Sequence, residues 1–158
     1  MENIEVKVCK NLIEKGLKIA TAESCTGGMI AAMITAVPGA SACFDAGVVT
    51  YSNGQKMKLL GVKKTTLAKF GAVSGETALE MCCGVRELSG ADIGISVTGI
   101  AGPDGGSEEK PVGTVWIGVS SGDTHIANRF LFEGDRNEVR VQTAIKALEL
   151  ANSCIKEK

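Results

Sequence analysis

Apolar residues recur at helical spacing at the start of the chain. Ile4, Val8 and Leu12 form one row, with Cys9 and Ile13 beside it, and Gly16 follows as a stop, so a helix is predicted over 3–15. Leu17 to Ala22 is short, apolar and partly β-branched, the pattern of a buried strand. A polar stretch, Glu23-Ser24-Cys25-Thr26-Gly27-Gly28, separates it from a buried helix over Met29 to Val37 that Pro38-Gly39 closes. Phe44 to Tyr51 reads as a second strand. Asn53-Gly54 alone would suggest a two-residue hairpin. The following Lys56 to Gly61 has the look of a short helix with a glycine stop, so strand to helix is the preferred reading.

A further short helix is predicted over 64–70. Ser74 is a good N-cap for a helix over 75–89, with Glu76 in its positive first turn and Gly90 at its end. Asp92 to Thr98 reads as a strand. Residues 99–111, GIAGPDGGSEEKP, show neither a helical nor a strand period. Val112 to Ser120 and His125 to Phe132 form a predicted antiparallel hairpin about Ser121-Gly122-Asp123. Asp135-Arg136-Asn137-Glu138 is a capping-box variant that opens a long helix to about Cys154. Alternating helices and strands followed by a hairpin predict an α/β fold, a three-layer α/β/α sandwich with a mixed central sheet. No repeat, linker or low-complexity stretch interrupts the pattern, so 1–158 is read as one domain.

Composition narrows the function classes. The chain has 158 residues, 44% apolar and 22% charged, the balance of a soluble globule. Mean hydropathy is +0.15, and no apolar run approaches the ~20 residues that span a bilayer. The acidic start, Met1-Glu2-Asn3-Ile4-Glu5, lacks the layout of a signal peptide, so a cytoplasmic protein is expected. A net charge of −1 and 4% aromatic residues do not suit a nucleic-acid binder, though they leave room for a nucleotide substrate. The six cysteines include no C-x-x-C pair and there is one histidine, so zinc sites built on C-x-x-C or H-E-x-x-H are excluded. The cysteines are expected to be free thiols.

Three loops follow predicted strands: 23–28, 51–56 and 99–111. In open α/β sheets ligands bind outside the carboxyl ends of strands, so parallel strands would bring these loops to one crevice. The first offers Ser24, Cys25 and Thr26, then Gly27 and Gly28 at a helix start suited to an anion. Thr26 as a mere helix cap is the alternative. The second offers Tyr51 and Lys56; a lysine beside a serine serves as a general base when burial lowers its pKa. A solvated Lys56 paired with a carboxylate is the alternative. The third is either a lid or a surface loop, and such loops are often functional. His125 is expected to be exposed and unconnected with the chemistry, and Cys82-Cys83 to pack in the core. Arg129, Arg136 and Arg140 are candidates for a phosphate clamp, the last two on one helix face.

Taken in order, TAESCTGG (21–28), VVTYSNGQKMKLLGV (48–62), GAVS (71–74), TGIAGPDGGSEEKPVGTVWIGV (98–119) and GDRNEVR (134–140) closely resemble the CinA C-terminal domain family, the PncC-type nicotinamide-nucleotide amidases. The resemblance covers nearly the whole chain. It implies a standalone, oligomeric α/β/α enzyme that takes a small nucleotide and neither cofactor nor metal. The reaction it implies is hydrolysis of nicotinamide mononucleotide to nicotinic acid mononucleotide and ammonia. Ser24 would be the nucleophile, Lys56 the base and Tyr51 a support. Substrate contacts would come from Cys25, Thr26, Gly27, Gly28, Ser74 and the Thr98-Gly99-Ile100-Ala101-Gly102 run. Arg136 or Arg140 would clamp a phosphate seated on the 26–28 helix start, and Val73 or Ile100 would wall the pyridine ring. Where the family often has Asn-Glu-x-Lys, this chain has Asn53-Gly54-Gln55-Lys56. A nucleotide-binding module without catalysis and a thiol amidase using Cys25 are the rival readings.

Overall fold

The computed structural model describes residues 2–156; Met1, Glu157 and Lys158 lie outside it. Helix α1 (Ile4–Lys15) buries Val8, Cys9 and Leu12 and ends on Gly16, whose positive φ of 65° lets the last carbonyls be capped. Strand β1 (Ile19–Glu23) is buried throughout. Helix α2 (Met29–Thr35) leads through a 3-10 turn to strand β2 (Phe44–Val49). Helices α3 (Asn53–Leu60), α4 (Lys64–Phe70) and α5 (Gly75–Ser89) precede β3 (Ile93–Gly99). The hairpin is β4 (Thr114–Ser121) and β5 (Thr124–Leu131), and α6 (Arg136–Lys156) closes the chain.

The five strands lie in the order β2-β1-β3-β4-β5. The first three are mutually parallel and the last two antiparallel, so the sheet is mixed. Its two faces pack by different rules. Ile19, Ile93, Ile95 and Val97 join Val8, Leu12 and Leu148 on the side of α1, α2 and α6, a core of large aliphatic side chains. The α5 side presents Ala20, Ala22 and Gly94, and the helix comes correspondingly close. A Cβ on Gly94 would overlap the Cys82 carbonyl oxygen. Between helices the same device recurs: a Cβ on Gly84 of α5 would overlap the Leu60 carbonyl at the end of α3.

Several boundaries move from the sequence reading, each for a visible reason. Helix α2 stops at Thr35 rather than Val37, ahead of Pro38, because proline disfavours helical backbone in the residue before it. Strand β2 ends at Val49 rather than Tyr51: the Thr50 amide still reaches the Glu23 carbonyl (2.9 Å), but the chain then turns. Asn53-Gly54 forms no hairpin. It is the first turn of α3, capped by Ser52, whose hydroxyl accepts from the Gln55 amide. Helix α6 begins with the expected reciprocal cap, Glu138 N–H to Asp135 Oδ1 (2.9 Å) and Asp135 N–H to Glu138 Oε2 (2.7 Å).

The crossover from β1 to β2 carries α2 on one face, and that from β2 to β3 carries α3 to α5 on the other. This reversal opens a crevice beyond the carboxyl ends of β1 and β3. The close Gly84–Leu60 approach sets where α3 stands beside it. Gly84→Ala is expected to lower stability by about 1–3 kcal/mol, the cost of overpacking a tight contact; urea unfolding of the variant beside the wild type checks this.

Candidate active site

Ser24 sits one residue past the end of β1, and Lys56 lies in the first turns of α3. The Thr50–Glu23 hydrogen bond ties the two strand ends together, and the short turn into α3 then aims Lys56 back over β1. Lys56 is 1% exposed, among the largest fully buried side chains in the molecule. Its Nζ lies 3.0 Å from Ser24 Oγ, 2.8 Å from the Thr50 carbonyl and 3.3 Å from the Tyr51 carbonyl. Among the described residues it forms no ion pair. Burial pulls its pKa below the ordinary 10.5, with a smaller opposing effect from Cys25.

This coordination suits a neutral amine. An uncharged Nζ has two N–H donors and one lone pair. The two carbonyls can only accept, so they take the two hydrogens. The lone pair is left for the one partner that can donate, the Ser24 hydroxyl.

Cys25, beside Ser24, is also buried, and its thiol is pushed up to about 11, chiefly by burial. It is therefore a neutral thiol at ordinary pH. His125 lies at the far end of the sheet, near neither Ser24 nor Lys56.

A cleft of about 280 Å³ opens over the pair. Ser24, Cys25, Lys56 and Tyr51 line one side of it, and Thr98, Gly99, Ile100, Ala101 and Gly102 another. Val73 and Ile100 supply apolar wall. The Thr98 hydroxyl faces away from any ligand role, donating to the Ala72 carbonyl (2.8 Å) and so holding that wall in place. Arg136, at the start of α6, reaches the mouth: it donates to the Gly102 carbonyl (2.7 Å) and to the Tyr51 hydroxyl (3.1 Å). The loop after β3 is thus tied down from α6. Lys110 holds it elsewhere through the Phe70 carbonyl (2.8 Å), and Arg129 through the Glu109 carbonyl (2.8 Å).

Four expectations need correction. The helix start at Thr26, Gly27 and Gly28 is not open to a phosphate. Glu23, 1% exposed, already fills it: its carboxylate accepts from the Thr26 hydroxyl (2.6 Å) and the Ile30 and Ala31 amides (2.9 and 3.0 Å). Arg140 does not face the cleft; it donates to the Cys25 and Thr26 carbonyls (3.1 and 3.0 Å) and braces the turn that carries Ser24. Ser74 does not line the cleft, because its hydroxyl caps α5 and donates to the Gly71 carbonyl (2.9 Å). Tyr51 touches Lys56 only through its backbone carbonyl; the side chain is 61% exposed and its hydroxyl belongs to Arg136.

Two residues escaped the sequence reading. Asn53 lines the cleft beside Lys56 and had registered only as a turn signal. Glu23 had no local signature, since it caps a helix that starts six residues later, beyond the reach of the usual capping box. No group of three or more His, Cys, Asp or Glu is placed to hold a metal ion among the described residues. No helix among them is long and apolar enough to cross a membrane.

The model of the CinA C-terminal domain matches residues 1–155. The chain belongs to that family. A nicotinamide-nucleotide amidohydrolase, PncC, from Enterobacter agglomerans is 49% identical over 96% of this chain and 93% of its own length. A putative competence-damage inducible protein of Clostridium tetani is 54% identical over 94% of this chain. This chain spans only 36% of that longer relative. Among solved structures, a CinA-superfamily protein from Klebsiella pneumoniae superposes with a TM-score of 0.94 at 37% identity, covering 98% of this chain and 97% of the other. A competence/damage-inducible protein from Agrobacterium tumefaciens gives 0.90 at 40% identity and similar coverage.

In this CinA domain, losing the Glu23 carboxylate strands two helix-end amides and a buried hydroxyl. Glu23→Ala is expected to cost at least about 2 kcal/mol, since each unsatisfied buried donor costs roughly 1–3 kcal/mol. Denaturant unfolding reads it, and an unchanged midpoint would show that water replaces the carboxylate without loss.

Proposed function

We propose that this CinA domain hydrolyses the carboxamide of nicotinamide mononucleotide, releasing ammonia through an acyl-enzyme on Ser24. The observation that carries the reading is the buried Lys56 amine, unpaired with any carboxylate and 3.0 Å from the Ser24 hydroxyl. The similarity to a named nicotinamide-nucleotide amidohydrolase over nearly its full length supports the substrate.

Lys56 in its neutral form accepts the Ser24 proton as the oxygen attacks the carboxamide carbon. The oxyanion is met by backbone N–H groups of the turn after β1, that of Cys25 being next to the nucleophile. The Lys56 ammonium then protonates the departing nitrogen, and ammonia leaves. Water enters and gives a proton to Lys56 as its oxygen attacks the ester; the Lys56 ammonium returns that proton to Ser24 Oγ as the acyl C–O bond breaks, and the acid leaves. The Thr50 and Tyr51 carbonyls stabilise the transient ammonium, so the amine can cycle between its two forms in place. Val73 and Ile100 flank the pyridine ring. Arg136, at the mouth, takes the phosphate, exchanging its present partner Tyr51 for a doubly charged one. Tyr51 is thereby a mouth residue rather than a proton carrier.

The thiol reading with Cys25 is not favoured. Its sulfur is held neutral, and the buried Lys56 amine is directed at Ser24.

The reading is tested by ammonia release from nicotinamide mononucleotide by the purified, chelator-treated chain. Ser24→Ala and Lys56→Ala are each expected to lower turnover more than about a thousandfold, as loss of one member of a nucleophile–base unit does. More than a tenth of the rate surviving in Ser24→Ala contradicts the assignment. No release by the wild type, with nucleotide binding retained in calorimetry, favours the binding module.

The pH profile has a defined sign. The working base is the deprotonated amine, so kcat/KM rises with pH through the Lys56 pKa, which burial places below the 10.5 of an ordinary lysine. Arg136→Ala is expected to raise KM by about tenfold or more with a smaller change in kcat, the value of a charged hydrogen bond to phosphate. Equal losses in kcat and kcat/KM would instead place Arg136 in the chemical step.

A further inference from the structure

At the end of the sheet opposite the cleft, α5, β4 and β5 bring a second set of reactive side chains together. Cys83 comes from α5, Ser120 from β4 and His125 from β5. His125 Nδ1 lies 2.9 Å from Ser120 Oγ and 3.6 Å from Cys83 Sγ. Arg86, one helical turn beyond Cys83, donates Nη1 to the Gly122 carbonyl (2.7 Å) and to Ser120 Oγ (3.3 Å). These four side chains line a surface cavity of about 370 Å³, which Glu87 also borders.

Cys83 stands apart from the other five cysteines. Those are buried, whereas Cys83 is half-buried and faces the cavity. Burial pushes Cys9 up to about 12 and Cys25 up to about 11. Cys82, whose thiol donates to the Leu79 carbonyl (3.3 Å), is also raised, by the adjacent Cys83 and by burial. Cys83 moves the other way, to about 6. The neighbouring Cys82 thiol is the largest cause. The Ser120 hydroxyl and the His125 and Arg86 charges add to it, while partial burial opposes it. Among the described residues lining the cavity, Glu87 is the acidic one.

We propose that Cys83, held by His125, Ser120 and Arg86, is a thiol-modification site that exchanges with low-molecular-weight disulfides. The Cys83 thiolate attacks one sulfur of the incoming disulfide. A new S–S bond forms to Cys83 as the old one breaks, and the other sulfur leaves with the electron pair as a thiolate, which takes a proton from solvent. Cys82 cannot resolve the product, since adjacent cysteines do not meet disulfide geometry, so the mixed disulfide persists until an external thiol reverses the exchange.

The full chain is exposed to oxidised glutathione, and adducts are located by peptide mass mapping. The rate of iodoacetamide alkylation at each cysteine is followed from pH 5 to 9. One adduct on the Cys83 peptide is expected, lost in Cys83→Ser. The alkylation rate of Cys83 should reach half its plateau below the ~8.5 of a free thiol, and at pH 6 it should exceed that of N-acetylcysteine, the gain in thiolate fraction outweighing the weaker nucleophilicity of a low-pKa sulfur. His125→Asn should move the midpoint upward. The proposal is overturned by adducts spread over the other cysteines, by a wild-type midpoint near the ~8.5 of a free thiol, or by an unchanged midpoint in His125→Asn.

Discussion

An amine buried among oxygens, with no carboxylate to hold its charge, is the constraint around which this domain is arranged. Taking an ammonium out of water costs several kcal/mol even after relaxation. A lysine in that position is retained only where its neutral form is useful or its charge is met. Here three oxygens surround Lys56, two carbonyls and one hydroxyl, and only the hydroxyl can donate to it. The geometry therefore discriminates between the protonation states. The charged form is satisfied by three acceptors but penalised by burial; the neutral form points its lone pair at Ser24.

That arrangement depends on elements distant in sequence. The Thr50 amide on the Glu23 carbonyl joins two parallel strand ends. Ser52 starts α3 at once, so Lys56 falls a single turn into the helix. Gly84 lets α5 come against the end of α3. On the other side, the Glu23 side chain holds the start of α2, and Arg140 braces the carbonyls of the turn between them. One residue, Glu23, thus serves both ends of the problem: its backbone positions Lys56 through Thr50, and its carboxylate fixes the turn that carries Ser24.

What was legible in the sequence follows the range of the physics. Periodicity and glycine stops act locally, so nearly every element and the mixed sheet could be read from them, and Asp135–Glu138 announced its own cap. The convergence of three loops followed from parallel strands alone. Ser24 and Lys56 stood out because of their placement after strands and through the family resemblance. The failures at Arg140, Tyr51 and Cys83 are side chains whose partners are remote, whereas Ser74 is taken locally by the cap of its own helix. Thr26–Gly28 has the composition of an anion site, yet a carboxylate from the preceding strand fills it. Arg140 is one turn from Arg136 on the same face, yet it meets backbone carbonyls. Tyr51 lies five residues from Lys56 in sequence, but only its carbonyl faces inward. Cys83 reads as core beside Cys82, while the hairpin brings His125 and Ser120 to it across more than thirty residues.

The central claim concerns the protonation of one amine, and it can be measured directly. Lysine labelled with 13C at the ε carbon reports the titration of each side chain by NMR, and Lys56→Met assigns the resonance. The account predicts that Lys56 titrates below 10.5. A Lys56 resonance that titrates at or above 10.5 would mean that the amine stays charged beside Ser24, and the neutral-base account would fall.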